Sequence, residues 1–256
     1  MSERTKNNEV DLNLTAHDQA VRLMASWISA IADQVRNPVA GISAAANLIG
    51  KQMLAFRAAQ TWDPEIVEEA VRLMIERLRT FDHYLTELSG FTRPVEINST
   101  WFDLRLRWSG IEQTITKRIN QPFKIHAVFP ETAMVYADCE RLMTVLTAVI
   151  INAVEACGST IEPEVSIVLE PLRDESQVDG VVLKISDNGP GFSSQALIQG
   201  LVPFFTTKEA GTGLGLAMVE KYMRAHGGWT KIDNNKDCGA TVTLFLPSPL
   251  ITQKRS

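Results

Sequence analysis

The sequence predicts an α+β protein in which an antiparallel helical hairpin is followed by an α/β sandwich with helices on one face of a mixed sheet. Two patterns predict this order. Apolar residues recur at steps of three and four over the first third of the chain, whereas short β-rich runs alternate with helical patterns further on. The 256 residues, 45% of them hydrophobic, are enough for one large or two modest cored domains. We divide them into a helical domain, residues 1–94, and a sandwich domain, residues 95–256.

The helical domain is predicted from two apolar seams, which are typical of packed helices. They are separated by residues 61–64, where Asp63 suits a helix N-cap and Pro64 the first helical position. Because a hairpin covers only one stripe of each helix, we expect a homodimer that forms a four-helix bundle; the alternative is a monomeric domain packed on the rest of the chain. The seam positions are Val21, Ala25, Ile28, Ala32, Val35, Val39, Ile42, Ala46, Ile49, Met53 and Phe56 in the first helix, and Val67, Val71, Met74, Leu78, Phe81, Leu85 and Leu88 in the second.

The sandwich domain follows a linker that is marked by Arg93 and Pro94. Helical periodicity returns in residues 104–119 and 138–157, and a third helix follows a glycine-rich loop and runs to Met223. The predicted sheet is formed by four β-rich runs, residues 123–129, 165–169, 181–186 and 240–246.

Composition excludes several classes of partner. With 25 Lys plus Arg against 30 Asp plus Glu, the formal net charge is −5, so we expect no nucleic-acid partner, which would require a concentrated positive field. The longest strongly apolar run, Leu142 to Ile151, is far shorter than the roughly 20 residues that span a bilayer, and the first ten residues are polar and charged. We therefore expect a cytoplasmic protein without membrane insertion. The 3 cysteines show no Cys-x-x-Cys spacing, which predicts reduced thiols that are buried or inert.

Three motifs of the sandwich domain carry polar chemistry, and each alone also fits an ordinary structural role. Asp187-Asn188-Gly189-Pro190-Gly191 follows a predicted strand and suits either a tight turn or the close approach of a ligand. Gly211-Thr212-Gly213-Leu214-Gly215 leads into a helix, whose exposed N–H groups suit phosphate. Asn152 lies on a helix, where its amide oxygen suits Mg²⁺, although a capping or solvated asparagine is common there.

The order of the motifs along the chain is more specific than any one of them. Together they resemble the N, G1, F, G2 and terminal boxes of the histidine-kinase catalytic domain, which has the Bergerat fold of the GHKL ATPases. The resemblance covers about Asp103 to Pro247. In chain order the matching segments are Asn152-Ala153-Val154-Glu155-Ala156, Asp187-x-Gly189-x-Gly191, Phe204-Phe205-Thr206-Thr207-Lys208, Gly211-x-Gly213-x-Gly215 and Gly239-Ala240-Thr241.

The resemblance implies that ATP and Mg²⁺ are the cofactors, and it gives each matching position a role. Asn152 would bind Mg²⁺, and Asp187 would accept a hydrogen bond from the adenine amino group. Lys208 would lie near the phosphates and Thr241 beside the adenine. The floor of the pocket would be formed by Gly189 and Gly191, and the lid loop that closes on the phosphates would contain Gly211, Gly213, Leu214 and Gly215.

The helical domain resembles the dimerisation and phosphoacceptor domain of the same family. In that family a His-Glu pair precedes a hydrophobic residue and Arg-Asn-Pro, and residues 35–42, which begin Val-Arg-Asn-Pro, match the pattern closely. The histidine is replaced by Asp33, however, and the glutamate by Gln34. A carboxylate is a weak nucleophile that repels the incoming phosphate, and Gln34 is no general base. We therefore predict a pseudokinase without autophosphorylation.

Three other features bear on the chemistry. Ala148 stands where related ATPases place a glutamate and kinases often place an asparagine, so we do not expect fast ATP hydrolysis. Of the histidines at positions 17, 83, 126 and 226, His83 is a candidate alternative acceptor; the alternative is an ordinary solvent-facing histidine. Gln34 and Asn37, spaced i and i+3, share one helix face and could orient water for dephosphorylation of a response regulator, or could simply be exposed polar residues.

Taken together, the sequence predicts a two-component signalling protein that binds Mg-ATP but lacks the phosphoacceptor histidine. It would control a response regulator or a partner histidine kinase by dephosphorylation or by nucleotide-gated docking. Two alternatives stay open. One is a kinase that phosphorylates a histidine in trans on a partner, and the other is an ATP-gated scaffold without catalysis.

Overall fold

The structure is a computed structural model that describes residues 2–249 except residues 60, 120, 159–161, 174–177 and 209–210; the side chains of residues 2–20, 22 and 23, among them His17, lie outside the description. The chain forms two compact units, Met1–Thr92 and Arg93–Ser256, so it divides two residues before the predicted boundary. The first unit contains only helices among its described residues, and the second contains both strands and helices.

The first unit is a helical hairpin. Helix α1 spans Ser2–Ala59 and helix α2 spans Pro64–Thr92. The Asp63 carboxylate accepts the backbone N–H groups of Glu65 and Ile66 at 3.1 and 3.4 Å, as expected of an N-cap. Pro38 lies inside α1 without ending it.

Many of the predicted seam residues lie on the outside of this hairpin. The buried residues include Ala45, Ala70 and Tyr84, none of them a seam residue. The side chain of Arg77 passes within 3.3 Å of where a Cβ atom on Gly41 would lie. The seams therefore do not mark the contact between α1 and α2 at these positions, and they leave an apolar face uncovered. The large seam residues that are exposed are Val21, Ile28, Val39, Met53 and Phe56 of α1 and Val71, Leu78 and Leu85 of α2.

The segment Met24–Ala59 of α1 is long and apolar enough to cross a membrane by length and composition alone. The prediction of no membrane insertion considered the longest apolar run, Leu142–Ile151. It did not recognise this segment because polar residues interrupt the apolar pattern of α1. The same test is passed by a core helix of a protein that never enters a bilayer, so the absence of membrane insertion stays a prediction.

The second unit is built on a five-stranded mixed sheet with the strand order β2-β4-β5-β7-β6, and a two-stranded antiparallel sheet, β1-β3, lies in the same unit. Strand β2 is parallel to β4, and the other neighbours are antiparallel. Strands β1, β3 and β6 were not predicted from the sequence, and β6 is an edge strand. The strands are β1 Thr100–Asp103, β2 Lys124–Val128, β3 Met134–Ala137, β4 Glu164–Arg173, β5 Asp179–Asp187, β6 Trp229–Asn234 and β7 Ala240–Pro247.

Helices cover the sheet and bury the core between the two layers. They are α3 Leu104–Arg118, α4 Cys139–Cys157, α5 Ser194–Gln199 and α6 Gly215–Ala225. Helix α4 contacts β4 and β5, and α6 contacts β6 and β7, while α3 packs on α4. The core includes Leu142, Leu146 and Ile150 of α4, which face Ile167 and Ile185 of the sheet layer. The predicted sandwich of helices on a mixed sheet is confirmed.

Candidate functional site

The Asp187 carboxylate lies at the end of β5 and is the most specific polar feature of the second unit. Its Oδ1 atom accepts the backbone N–H groups of Gly189 at 2.9 Å and Ala240 at 3.1 Å. Burial raises the pKa of this carboxyl above its usual range, and the two N–H groups oppose that rise by stabilising the charged form. Because both backbone donors converge on Oδ1, the described chain leaves Oδ2 open to a further donor.

Glycines permit a close approach of the chain around Asp187. Gly239 adopts φ +86°, which favours glycine, and a Cβ atom there would overlap the Asp187 carbonyl oxygen. A Cβ atom on Gly189 would lie 3.0 Å from Asp187 Oδ1 and 3.4 Å from Cys157 Sγ. Cys157 is buried as predicted, whereas Cys238, which precedes Gly239, is exposed because it lies in the loop between β6 and β7.

Two adjacent asparagines that the sequence analysis missed hold the turn from Asp187 to Phe192. Asn234 Oδ1 accepts the Phe192 N–H at 2.6 Å, and its Nδ2 donates to the Phe192 carbonyl at 2.8 Å. Asn235 Nδ2 donates to the Asp187 carbonyl at 3.0 Å and to the Ala240 carbonyl at 3.3 Å. Both ends of the turn are therefore bonded to the end of β6. The sequence signal was weak, since the two asparagines follow a mixed segment, Trp-Thr-Lys-Ile-Asp, with two apolar residues.

A third asparagine, Asn188, bonds the same turn to the opposite side. Its Oδ1 atom accepts the Glu164 N–H at 2.9 Å, and its Nδ2 atom donates to the Glu162 carbonyl at 2.9 Å. The buried Cys157 thiol lies 3.2 Å from the same Oδ1 atom. The turn is thus held by side-chain amides on both sides, which keeps the Asp187 carboxylate in place.

Thr241 lies on β7 opposite Ser186 of β5, and the two hydroxyl oxygens are 2.6 Å apart. Its own hydroxyl donates to Asn235 Oδ1 at 2.6 Å. Since side chains alternate along a strand, Thr241 and Ser186 occupy the sheet face opposite the Asp187 side chain. The β7 residue that contacts the Asp187 carboxylate is Ala240, and Thr241 is connected to the turn only through Asn235.

A second polar group lies on α4, one helical turn from the end of the helix. The Lys208 ammonium donates to Asn152 Oδ1 at 3.2 Å and pairs with Glu155 Oε2 at 2.6 Å. Asn152 and Glu155 are spaced i and i+3, which places both oxygens on one side of α4. These oxygens already hold a cationic group, and carboxylate and amide oxygens are ligands that Mg²⁺ accepts. The donor set therefore fits the ion that the sequence assigns to Asn152.

The glycine-rich loop approaches the same group through the start of α6. A Cβ atom on Gly215 would lie 3.5 Å from Asn152 Nδ2. Gly213 adopts φ +68° against the backbone of Phe204, which itself has φ +68° and donates its N–H to the Gly213 carbonyl at 2.9 Å. Leu214 is fully buried, so its side chain anchors the loop in the core. The N-terminus of α6 has no side-chain cap, which leaves its first N–H groups available to an anion.

The hairpin residues singled out by the sequence are described within the first unit. Asp33 is exposed, and its Oδ1 atom accepts a hydrogen bond from Arg36 Nη1 at 2.8 Å. Asn37 is exposed and Gln34 half-buried on the same helix. The His83 side chain is 67% exposed, with Nε2 at 3.4 Å from Glu87 Oε1, which confirms that it faces solvent.

Comparison with known proteins shows which protein family the second unit matches and which proteins the chain is similar to. Residues 137–250 match the family of histidine kinase-, DNA gyrase B- and HSP90-like ATPases. Sensor histidine kinase ZraS of Escherichia coli strain K12 is 28% identical over 85% of this chain and 44% of its own. Sensory histidine kinase/phosphatase NtrB of Rhizobium leguminosarum bv. phaseoli is 30% identical over 96% of this chain and 64% of its own. This chain therefore spans about half to two thirds of the length of these two relatives.

Two solved structures share the fold. Histidine kinase AdeS of Acinetobacter baumannii has a TM-score of 0.57 at 21% identity, covering 84% of this chain and 96% of that one. Histidine kinase ThkA, in its complex with the response regulator protein TrrA, has a TM-score of 0.67 at 20% identity, covering 91% of this chain and 64% of that one. At these identities the likeness concerns the fold.

The fold and site of the second unit define a GHKL-type ATPase domain, a class of nucleotide-binding domain. Over most of its length the chain, including the hairpin that precedes this domain, is similar to sensor histidine kinases, which supports the two-component histidine kinase family.

Proposed function

We propose that this chain is a two-component signalling protein that binds Mg-ATP in its second unit but does not phosphorylate itself at position 33. The observation that carries the proposal is the combination of the Asp187 and Asn152–Lys208 groups with an exposed Asp33 where the family has its acceptor histidine. It would control a response regulator or a partner histidine kinase. We place it in the cytoplasm and as a homodimer, and the exposed apolar residues of both helices support the dimer.

Different residues of the second unit would bind different parts of the nucleotide. Asp187 Oδ2 would accept the adenine amino group, since Oδ1 is used by two backbone donors. Asn152 Oδ1 would take Mg²⁺, which neutralises charge on the phosphates. Lys208 and the free N–H groups at the start of α6 would bind phosphate oxygens, because each presents positive charge to the same place. Gly211, Gly213 and Gly215 permit the loop to follow the phosphates closely.

The chemistry of position 33 argues against autophosphorylation. Attack on the γ-phosphate requires a nucleophile with an available lone pair and a base to assist it. The Asp33 carboxylate is engaged by Arg36, carries negative charge toward a negatively charged substrate and would form a high-energy acyl phosphate. Gln34 has no basic atom. Nucleotide binding without phosphoryl transfer to the chain is the expected behaviour.

Incubation with γ-labelled Mg-ATP tests this directly. We expect wild-type protein to bind the nucleotide and to carry no acid-labile label, and we expect Asn152→Ala to weaken binding by at least about tenfold because the metal loses an oxygen ligand. Binding and label are measured on the same samples. Label on the wild-type protein would contradict the proposal, and its loss in His83→Ala would assign it to that exposed histidine.

Dephosphorylation of a response regulator is the reaction that the hairpin best supports. Orienting a water molecule needs a hydrogen-bonding side chain in a fixed place rather than a strong base. Gln34 and Asn37 supply two amides one helical turn apart, next to the Asp33–Arg36 ion pair. A relative that is 30% identical is named a histidine kinase/phosphatase, which is consistent with this reaction.

Replacement of the Gln34 or Asn37 side chain distinguishes dephosphorylation of the regulator from binding of the regulator. We expect Gln34→Ala and Asn37→Ala each to slow the dephosphorylation of a phosphorylated cognate regulator by about ten- to a hundredfold, with regulator binding unchanged. Asn47→Ala, an exposed amide further along α1, is the matched control. Normal rates in both amide variants would contradict this assignment. Regulator binding that depends on ATP without any turnover would instead favour the scaffold, and a labelled histidine on a partner would favour the kinase acting in trans.

A further inference from the structure

Glu155 has a clear partner, but neither the sequence nor the proposed function gives it a specific role. Its Oε2 atom lies 2.6 Å from the Lys208 ammonium, which also donates to Asn152 Oδ1 at 3.2 Å. Two oxygens of α4 therefore hold the ammonium, and one of them, Asn152 Oδ1, is the oxygen expected to bind Mg²⁺. We propose that Glu155 is a positioning residue, which keeps Lys208 against Asn152 until a magnesium nucleotide binds and Lys208 exchanges Glu155 for the phosphates. The inference rests on the proposed function, since it takes Mg-ATP as the ligand.

Lys208 is expected to exchange partners because its ammonium and Mg²⁺, both positively charged, would otherwise meet at Asn152 Oδ1. A Mg²⁺ ion held by Asn152 would take the same Oδ1 atom that the Lys208 ammonium contacts. An ammonium that is a hydrogen-bond length from the same atom would then face the ion at close range and be repelled. The phosphates bring the compensating negative charge. We therefore expect Lys208 to leave Asn152 as the nucleotide enters and to break its ion pair with Glu155 in the same step.

The backbone around Lys208 is fixed, so the exchange concerns its side chain. The Lys208 N–H donates to Thr206 Oγ1 at 3.1 Å, and its carbonyl accepts the Gly211 N–H at 3.2 Å. The four-carbon side chain of lysine can redirect its ammonium by several ångströms without moving these bonds. Lys208 and Glu155 are 43% and 54% exposed, so their pair is solvated and readily exchanged.

A double-mutant cycle on Mg-ATP affinity tests the inference. We expect Glu155→Gln to tighten Mg-ATP binding by about two- to fivefold, the range for a solvated ion pair that must be broken. In a Lys208→Gln background the same replacement should change the affinity by less than about 1.5-fold, because no pair remains to break. Titration calorimetry at constant ionic strength measures all four proteins. Glu170→Gln is the charge-matched control, since that carboxylate pairs with Lys184.

The possible results separate the inference from its alternatives. Equal tightening by Glu155→Gln in both backgrounds would show simple repulsion between carboxylate and phosphate, and would overturn the positioning role. Weakening in both backgrounds would make Glu155 a metal ligand and would overturn it as well. Absence of binding in all four proteins, the wild type included, would overturn the proposed function and the inference together.

A second readout requires no nucleotide. In ¹³C-labelled protein we expect the Cε signal of Lys208, identified by its absence in Lys208→Gln, to be shifted in Glu155→Gln, where the ion pair is missing. Addition of Mg-ATP should shift this signal. A Lys208 Cε signal that is the same in the wild type and in Glu155→Gln would overturn the inference even if the nucleotide binds, which leaves the proposed function standing on its own measurement.

Discussion

Asp187→Asn is expected to lower the affinity for adenine nucleotides by about 30- to 100-fold, the loss that follows when a charged hydrogen bond is replaced by a mismatch. The N–H groups of Gly189 and Ala240 both point at Oδ1, so they hold the amide oxygen of the variant in that place. Its NH₂ group must then occupy the position of Oδ2 and face the adenine amino group, donor against donor. Affinity for ATP and for ITP, which carries a 6-oxo group, is measured side by side.

The pH dependence of binding and the stability provide the controls for this variant. Burial raises the pKa of the Asp187 carboxyl, so its charge is lost at a higher pH than for an ordinary aspartate. Nucleotide affinity of the wild type should therefore fall on acidification before ordinary carboxyls titrate, whereas that of Asp187→Asn should stay level there. A raised pKa also means that stability decreases as this carboxyl ionises with rising pH. The variant should fold at least as stably as wild type at neutral pH, and an unfolded variant or unchanged ATP affinity would contradict the role of Asp187.

Gly239→Ala is expected to destabilise the second unit by about 3 kcal/mol and to abolish detectable nucleotide binding. The φ of +86° disfavours any side chain, and the new Cβ atom would overlap the Asp187 carbonyl oxygen, which is backbone and cannot rotate away. Relief of the overlap must move β7 from the turn, and this breaks the bond from the Ala240 N–H to the Asp187 carboxylate. Thermal unfolding and nucleotide titration of the full chain measure the two effects.

Gly158→Ala is the matched control. Gly158 ends α4 with φ +63°, but nothing lies within 4 Å of where its Cβ atom would stand. Only the conformational cost remains, about 1–3 kcal/mol for a residue at φ +63° and ψ −156°, and nucleotide affinity should be unchanged. Similar losses of stability and binding in both variants would show that backbone conformation alone accounts for the effect at Gly239, and that the close approach to Asp187 is unimportant.

Much of the fold could be predicted from the sequence because its signals are local. The N-cap of α2 at Asp63 follows from an acidic residue before a proline, and the extent of α4 follows from its apolar periodicity. The four predicted strands all exist within a few residues of their expected ends. The missed strands β1, β3 and β6 are short or lie at an edge, where alternation of apolar and polar residues is weak. The sequence also did not specify which apolar face of each hairpin helix makes the contact between α1 and α2, and many of the predicted seam residues are exposed.

The sequence by itself determined which residue types are present, in which order, and hence the family, the glycine-rich loop and the absence of a histidine at position 33. Only the tertiary structure decided which of them meet. The pairing of β5 with β7 brings the Ala240 N–H to Asp187 and turns Thr241 to the other face, and the position of Lys208 over α4 joins it to Glu155. These contacts link residues far apart in the chain. Register and chain packing fix them, because a periodic pattern specifies the faces of an element but not its neighbour.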